Sequence, residues 1–223
     1  MRRLLLGAAV MASLVGVLAV LVIQEVPALL DLDHSLGAAL LYQGGGSFGV
    51  GVLQVLTAPG LSVFRLAVLV PLAVLLAVRG RLRVAGFILV AALIVSPLTT
   101  VLKELVGRVR PTADDPLVAA DGLSFPSAHS SGAATLAGVL LVVLWPMLSR
   151  RWRPWVLAGL GLAAICVAWT RMALGVHYLS DTVGGLALGA AVVLLSMTIF
   201  GVYPGGPAQL PERGSADLAR TAD

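Results

Sequence analysis

The chain is 223 residues long, with 59% apolar and only 12% charged residues, and its mean hydropathy is +1.00. An ordinary soluble domain is about half apolar and about a quarter charged, so this composition excludes a disordered chain, a collagen-like chain and an ordinary soluble enzyme, and leaves an integral membrane protein. The net charge of +4 does not indicate nucleic acid, because the chain has no basic arm and no basic patch set between aromatics; the single cysteine, Cys166, allows no intrachain disulfide.

Crossing the hydrocarbon layer takes about 20 apolar residues, and six runs reach that length: residues 4–23, 59–78, 84–102, 129–148, 154–172 and 182–203. The first follows Arg2 and Arg3 as a signal peptide would. It exceeds the usual ~7–15 residues of a signal core and no small-x-small site follows it, so a retained first helix is predicted. Residues 26–42 mix leucines with Asp31, Asp33 and His34, a pattern for a helix lying on the outer leaflet, with His34 at the surface. Gly44–Ser47 reads as a flexible loop. Arg65 lies about six residues into the second run, roughly 9 Å at helical rise; its long stem predicts outward snorkelling, the alternative being contact with a substrate headgroup or second phosphate. Asp114 and Asp115 read as a solvated loop pair, and Cys166 as packing. Gly185 and Gly189, four apart in the sixth run, predict close approach of a neighbouring helix. From Pro204 onward the composition predicts a disordered tail. The predicted fold is all-α: a six-helix transmembrane bundle over residues 1–203 and a tail over 204–223.

Orientation follows from the basic residues in the connections. One side collects Arg2, Arg3, Arg79, Arg81, Arg83, Arg150, Arg151, Arg153, Arg213 and Arg220, ten of the fifteen Lys and Arg. The other has Lys103, Arg108, Arg110 and Arg171, with Arg65 near it, and the acids Glu25, Asp31, Asp33, Glu104, Asp114, Asp115, Asp121 and Asp181. The first side is predicted to be cytoplasmic, with both termini there, as an even number of spans requires.

The few cations on the outer side fall into three groups. Lys103 and Arg110 are seven apart, two turns on one helical face, with Pro111 as the stop; two such cations suit a phosphate, or else anchor a helix end by snorkelling. Ser127 and His129 open the fourth run, where free amides and the helix dipole favour an anion and a histidine could protonate a leaving group; the plainer alternative is an N-cap. His177 and Asp181, four apart, share a face if helical. The carboxylate then holds one ring nitrogen and leaves the other nucleophilic, with Arg171 nearby; the alternative is an ion pair capping the last helix. Their joint occurrence on one membrane side favours function over the three separate structural readings.

Together the groups resemble the type 2 phosphatidic acid phosphatase superfamily, whose motifs run Lys-x6-Arg-Pro, Pro-Ser-Gly-His and Ser-Arg-x5-His-x3-Asp. Here they read Lys103 to Arg110-Pro111, Pro126-Ser127-Ala128-His129 and Thr170-Arg171 to His177 to Asp181. Ala128 replaces the usual glycine, which is compatible with a phosphate cradle if its φ is negative, and Thr170 keeps the hydroxyl of serine. The resemblance implies a lipid phosphatase of the cytoplasmic membrane, facing outward. In it His177 is the nucleophile, Asp181 orients it, and His129 is the acid and then the base. Lys103, Arg110, Arg171, Ser127 and the Ala128 amide hold the phosphoryl group. No metal and no cofactor are implied. The partner is a lipid phosphate or pyrophosphate in the bilayer: a polyprenyl pyrophosphate, phosphatidic acid or phosphatidylglycerol phosphate. Alternatives are a lipid-linked phosphotransferase, a lipid-phosphate binding or transport protein without chemistry, and, far behind, a vanadate-dependent haloperoxidase.

Overall fold

The computed structural model describes residues 1–44, 46–111, 117–203 and 206–208. Among these residues eight α-helices follow in chain order: α1 (Arg2–Ile23), α2 (Pro27–Leu40), α3 (Ser47–Thr57), α4 (Ser62–Val78), α5 (Leu82–Val106), α6 (Ala128–Leu144), α7 (Arg153–Ala173) and α8 (Leu179–Phe200). Five are long and apolar enough to cross a membrane alone: α1, α5, α7, α8, and α6 with its 3-10 continuation to Met147. A sixth span is reached if the bent pair of α3 and α4 is counted as one. α3 and α4 meet at a 41° bend around the turn Ala58–Gly60. The second predicted run thus begins at the bend, and α3 extends it. Asp114 and Asp115, the middle of the Gly44–Ser47 loop and the tail beyond Ala208 lie outside the described residues. Gly206–Ala208 turns back, the Ala208 amide donating to the Gly201 carbonyl at 3.1 Å.

The packing is that of a membrane bundle. α8 lies at its centre, against α1, α5 and α6, while α4 pairs with α5 and α7 with α6. One apolar core joins α4, α5, α6 and α8 around Phe87, Ile88, Leu69 and Val139. Leu6, Val10, Val17 and Val20 of α1 are each more than half exposed, an apolar face that suits the hydrocarbon of a bilayer. The predicted close approach at Gly185 is present. A β carbon there would lie 2.5 Å from the Ser127 carbonyl oxygen, and one at Gly189 would lie 2.5 Å from that of Ser131. α6 and α8 can meet so closely only through hydrogen, and this contact sets the starts of both helices side by side.

Two local readings are corrected. α5 ends at Val106, because Gly107 takes a left-handed conformation (φ 68°) and its amide closes on the Lys103 carbonyl. Lys103 is therefore helical and Arg110 is not, and the two do not share a helix face. Likewise α2 occupies most of the predicted 26–42 segment, but Asp33 is fully buried against α8 instead of facing the leaflet.

Candidate active site

The site forms at one end of the bundle, from the last turn of α5, the segment after it, the first turn of α6, the end of α7 and the start of α8. His177 stands two residues before α8, with Tyr178 as the N-cap. It does not share a helical face with Asp181. Asp181, in the first turn, reaches back across the cap: its Oδ2 accepts from the Tyr178 amide at 2.9 Å and lies 3.3 Å from His177 Nδ1. Arg110 Nη1 lies 3.0 Å from His177 Nε2 and donates to the Val176 carbonyl at 2.8 Å. A guanidinium can only donate and a carboxylate only accepts. The pair therefore fixes the tautomer: Nδ1 carries the proton toward Asp181 and Nε2 keeps its lone pair.

His177 is 3% exposed. Burial pushes its imidazole down to about 4, with Arg110 and Arg171 adding to the push and Asp181 opposing it. It is neutral at pH 7. Burial also lowers Arg110 from the ordinary guanidinium value, against the pull of Asp181 and Asp121.

The remaining predicted residues gather around this pair. Lys103 donates to the carbonyls of Leu123 and Ser124, and Arg110 Nε to that of Gly122 at 3.0 Å. One loop thus holds both cations that the sequence had placed on one helix. Arg171, in the last turn of α7, is 8% exposed and its Nε has no hydrogen-bond partner among the described residues. A buried donor left open in this way is what an anion would satisfy. Ser127 is the N-cap of α6, its Oγ accepting from the Ser130 amide at 3.4 Å. The α6 amides before Ser130 have no partner within the helix. Ala128, the first helical residue, is not among the residues with positive φ, so alanine fits without strain. His129 sits half-buried on that first turn. Thr170 stands apart: its hydroxyl turns back onto the Val167 carbonyl at 2.7 Å.

Arg65 does not snorkel. It is 1% exposed and turned inward, Nε donating to the Ala92 carbonyl at 3.2 Å and Nη2 to Ser96 Oγ at 2.7 Å. Sequence reasoning gave no role to Arg108, Asp33 or Ser180. Arg108 Nη1 donates to Asp181 Oδ1 at 2.8 Å and to Ser180 Oγ at 2.7 Å, and its Nη2 to Asp33 Oδ2 at 2.7 Å. The one available signal was that Arg108 is a cation on the cation-poor side. A cavity of about 200 Å³ is lined by His177 and Tyr178, by Asp33, His34 and Gly37 of α2, and by Leu41 just after that helix. His34 is exposed as predicted, edge-on to the Tyr178 ring at 5.4 Å. Among the described residues, no cluster of three His, Cys, Asp or Glu is placed to hold a metal.

The chain is similar to known proteins in sequence and in fold. Residues 82–203 match the model of the PAP2 superfamily. Phosphatidylglycerophosphatase B of Bacillus subtilis is 41% identical over 101 residues, 44% of this chain and 49% of that protein. Decaprenylphosphoryl-5-phosphoribose phosphatase of Mycobacterium tuberculosis is 38% identical over 109 residues, 45% of this chain and 52% of that one. The chain thus spans about half the length of the curated relatives it matches. The crystal structure of a transmembrane PAP2 type phosphatidylglycerolphosphate phosphatase from Bacillus subtilis superposes with a TM-score of 0.67 at 28% identity, over 86% of this chain and 94% of that one. Aquifex aeolicus LpxE shares the fold, with a TM-score of 0.53 at 22% identity over 75% of this chain and 95% of that one. The family match covers more than half of the sequence and contains all three motifs from Lys103 to Asp181, so the chain belongs to the PAP2 superfamily.

Proposed function

We propose that the protein is a membrane phosphatase that removes the terminal phosphate of a lipid phosphate or pyrophosphate, without a metal, through a phosphohistidine on His177. The observation that carries this reading is the ring of His177, with Nδ1 against Asp181 and Nε2 facing the Arg110 guanidinium. Nε2 is a neutral, unprotonated nucleophile set among cations. It attacks phosphorus as the P–O bond to the lipid breaks. His129, carrying a second proton that the bound phosphate anion brings or favours, gives it to the leaving oxygen, then takes one from the water that cleaves the P–N bond and frees phosphate. Lys103, Arg110 and Arg171, with Ser127 and the Ala128 amide, hold the phosphoryl oxygens and the charge that spreads over them. Three cations supply the neutralisation that a metal would otherwise provide. The relatives' names point to phosphatidylglycerophosphate or a polyprenyl-linked phosphate as the substrate class, and phosphatidic acid belongs in the same comparison.

The test is phosphate release by the detergent-purified protein in EDTA from phosphatidylglycerophosphate, phosphatidic acid and undecaprenyl pyrophosphate. His177→Ala is the companion variant. Release by the wild type and a loss of more than about a thousandfold in the variant are expected, since a covalent route has no substitute for its nucleophile. Full activity of folded His177→Ala would refute the mechanism. No release from any lipid by folded wild type would favour phosphotransfer or binding without chemistry.

A further inference from the structure

Resting on the phosphatase reading above, we infer that Arg108 is a positioning residue for the nucleophile: it divides its charge between two buried carboxylates, Asp33 and Asp181, and so fixes both the orientation and the charge that Asp181 presents to His177. Asp33 and Asp181 are each 0% exposed, and the Arg108 side chain is 8% exposed. All the oxygens are assigned. Asp181 Oδ1 takes Arg108, and its Oδ2 takes the Tyr178 amide and faces His177 Nδ1. Asp33 Oδ1 takes the Ser180 amide at 2.9 Å, and Oδ2 takes Arg108 and the Ser180 hydroxyl. The Arg108 guanidinium also lies over the Tyr178 ring, 4.0 Å from its centre. The Asp181 carboxylate cannot rotate away from His177 without losing Arg108. Asp33, from α2, caps the start of α8.

The charges show what this is for. With His177 neutral, two carboxylates and one guanidinium leave one negative charge. Phosphorylation at Nε2 with Nδ1 still protonated makes the ring cationic, and this residual charge is what meets it. Removing Arg108 leaves two buried anions beside the ring and raises its affinity for a proton. Removing the Asp33 charge lets Arg108 act on Asp181 alone and lowers it. The other ionisable groups facing His177 and Asp181 are Lys103 of α5, Arg110, His129 of α6, Arg171 of α7, Tyr178, and His34 of α2. All are retained in the variants below, so differences between them report on Arg108 and Asp33.

The experiment compares wild type, Arg108→Gln, Arg108→Lys, Asp33→Asn and the Arg108→Gln/Asp33→Asn double variant. It has two readouts. The first is the protonation midpoint of His177 by nitrogen-15 histidine NMR in detergent, assigned by loss of the signal in His177→Gln, which needs no turnover. The second is the pH profile of kcat and KM on whichever lipid the wild type hydrolyses. Arg108→Gln is expected to raise the midpoint and the acid limb by about one pH unit, the size of a lost charge within contact distance. Its kcat should fall at least tenfold with KM within about threefold. Asp33→Asn should move the midpoint down, the double variant should return it toward wild type, and Arg108→Lys should keep the wild-type midpoint with reduced kcat. If Arg108→Gln does not fold, the downward midpoint of Asp33→Asn and the unchanged midpoint with reduced kcat of Arg108→Lys decide the inference. Unchanged midpoints with a lowered melting temperature would make the cluster a fastening of α2 to α8 and overturn the inference. So would a raised KM at unchanged kcat in Arg108→Gln, the mark of a substrate contact. A wild type that releases no phosphate refutes the phosphatase reading, while the NMR midpoints still decide this one.

Discussion

Arg65 brings a guanidinium into α4 with no carboxylate partner among the described residues. Its partners are neutral oxygens of α5 and of its own helix: the Ala92 carbonyl, Ser96 Oγ, and Ser62 Oγ at 3.4 Å. Such a group holds two helices together, and its hydrogen bonds go to these oxygens and not to the side chains of the site. Arg65→Ala should therefore leave the ratio of KM values for a pyrophosphate and a monophosphate lipid unchanged within about twofold. It should destabilise the fold by about 2 kcal/mol or more, from the cavity and the abandoned acceptors. A selective rise of KM for the pyrophosphate, with unchanged melting, would return Arg65 to the substrate. Sequence could place this residue in depth but not in direction. Stem length allows snorkelling, whereas the inward rotamer is chosen by Ser96, 31 positions away. The same limit hid Asp33. Its partner Ser180 lies 147 residues along the chain, and nothing in the leucine-rich pattern around it marks which acid turns inward. By contrast His177, Asp181, Lys103, Arg110 and Arg171 could be found, because ionisable residues are rare in an apolar chain and these cluster at fixed spacings.

At the level of elements, the proposed catalytic geometry depends on how closely α6 approaches α8. The Ser127 amide donates to the Asp181 carbonyl at 2.9 Å, which ties the start of one helix to the start of the other. Gly185 makes room for that bond. Gly185→Ala would drive its methyl into the Ser127 carbonyl and the Ser130 β carbon, 2.5 and 2.9 Å away. The helices must separate, at about 1–3 kcal/mol, and His129 moves relative to His177. Phosphate release should fall at least tenfold, with a lower melting temperature. Gly159→Ala, with nothing within 4 Å, should change neither. Equal behaviour of the two variants would remove the packing argument. The helices themselves were readable from the length of their apolar runs, and Gly-x3-Gly told which face of α8 meets a neighbour. α3 was not readable: eleven residues cannot span, and the glycines around it suggested a loop. Nor was the end of α5, since the Pro111 stop is pre-empted four residues earlier by Gly107 in a left-handed turn.

For the whole molecule, charge and site lie at opposite ends. A β carbon at Gly7 would touch Leu194, so the start of α1 lies beside the second half of α8. The turn holding Arg81 and Arg83 borders Pro207 and Ala208. Arg150 and Arg151 follow α6 at the end away from Ser127. The arginine-rich connections thus gather where α8 finishes, and His177, Asp181 and their cations gather where it begins. From the bias of Lys and Arg toward the cytoplasm we propose that the first end faces the cytoplasm and the site the outer face, where a lipid headgroup would enter from the outer leaflet. Cysteine labelling tests this directly. Cys166→Ala supplies the background, and a membrane-impermeant maleimide is applied to intact spheroplasts. Glu104→Cys, exposed on the last turn of α5 at the site end, should label at once. Arg151→Cys, exposed between α6 and α7, should label only after permeabilisation. The reverse pattern would place the site in the cytoplasm and make its substrates lipids of the inner leaflet, while equal labelling of both in intact spheroplasts would mean that the chain inserts both ways, as no charge asymmetry of this size should permit.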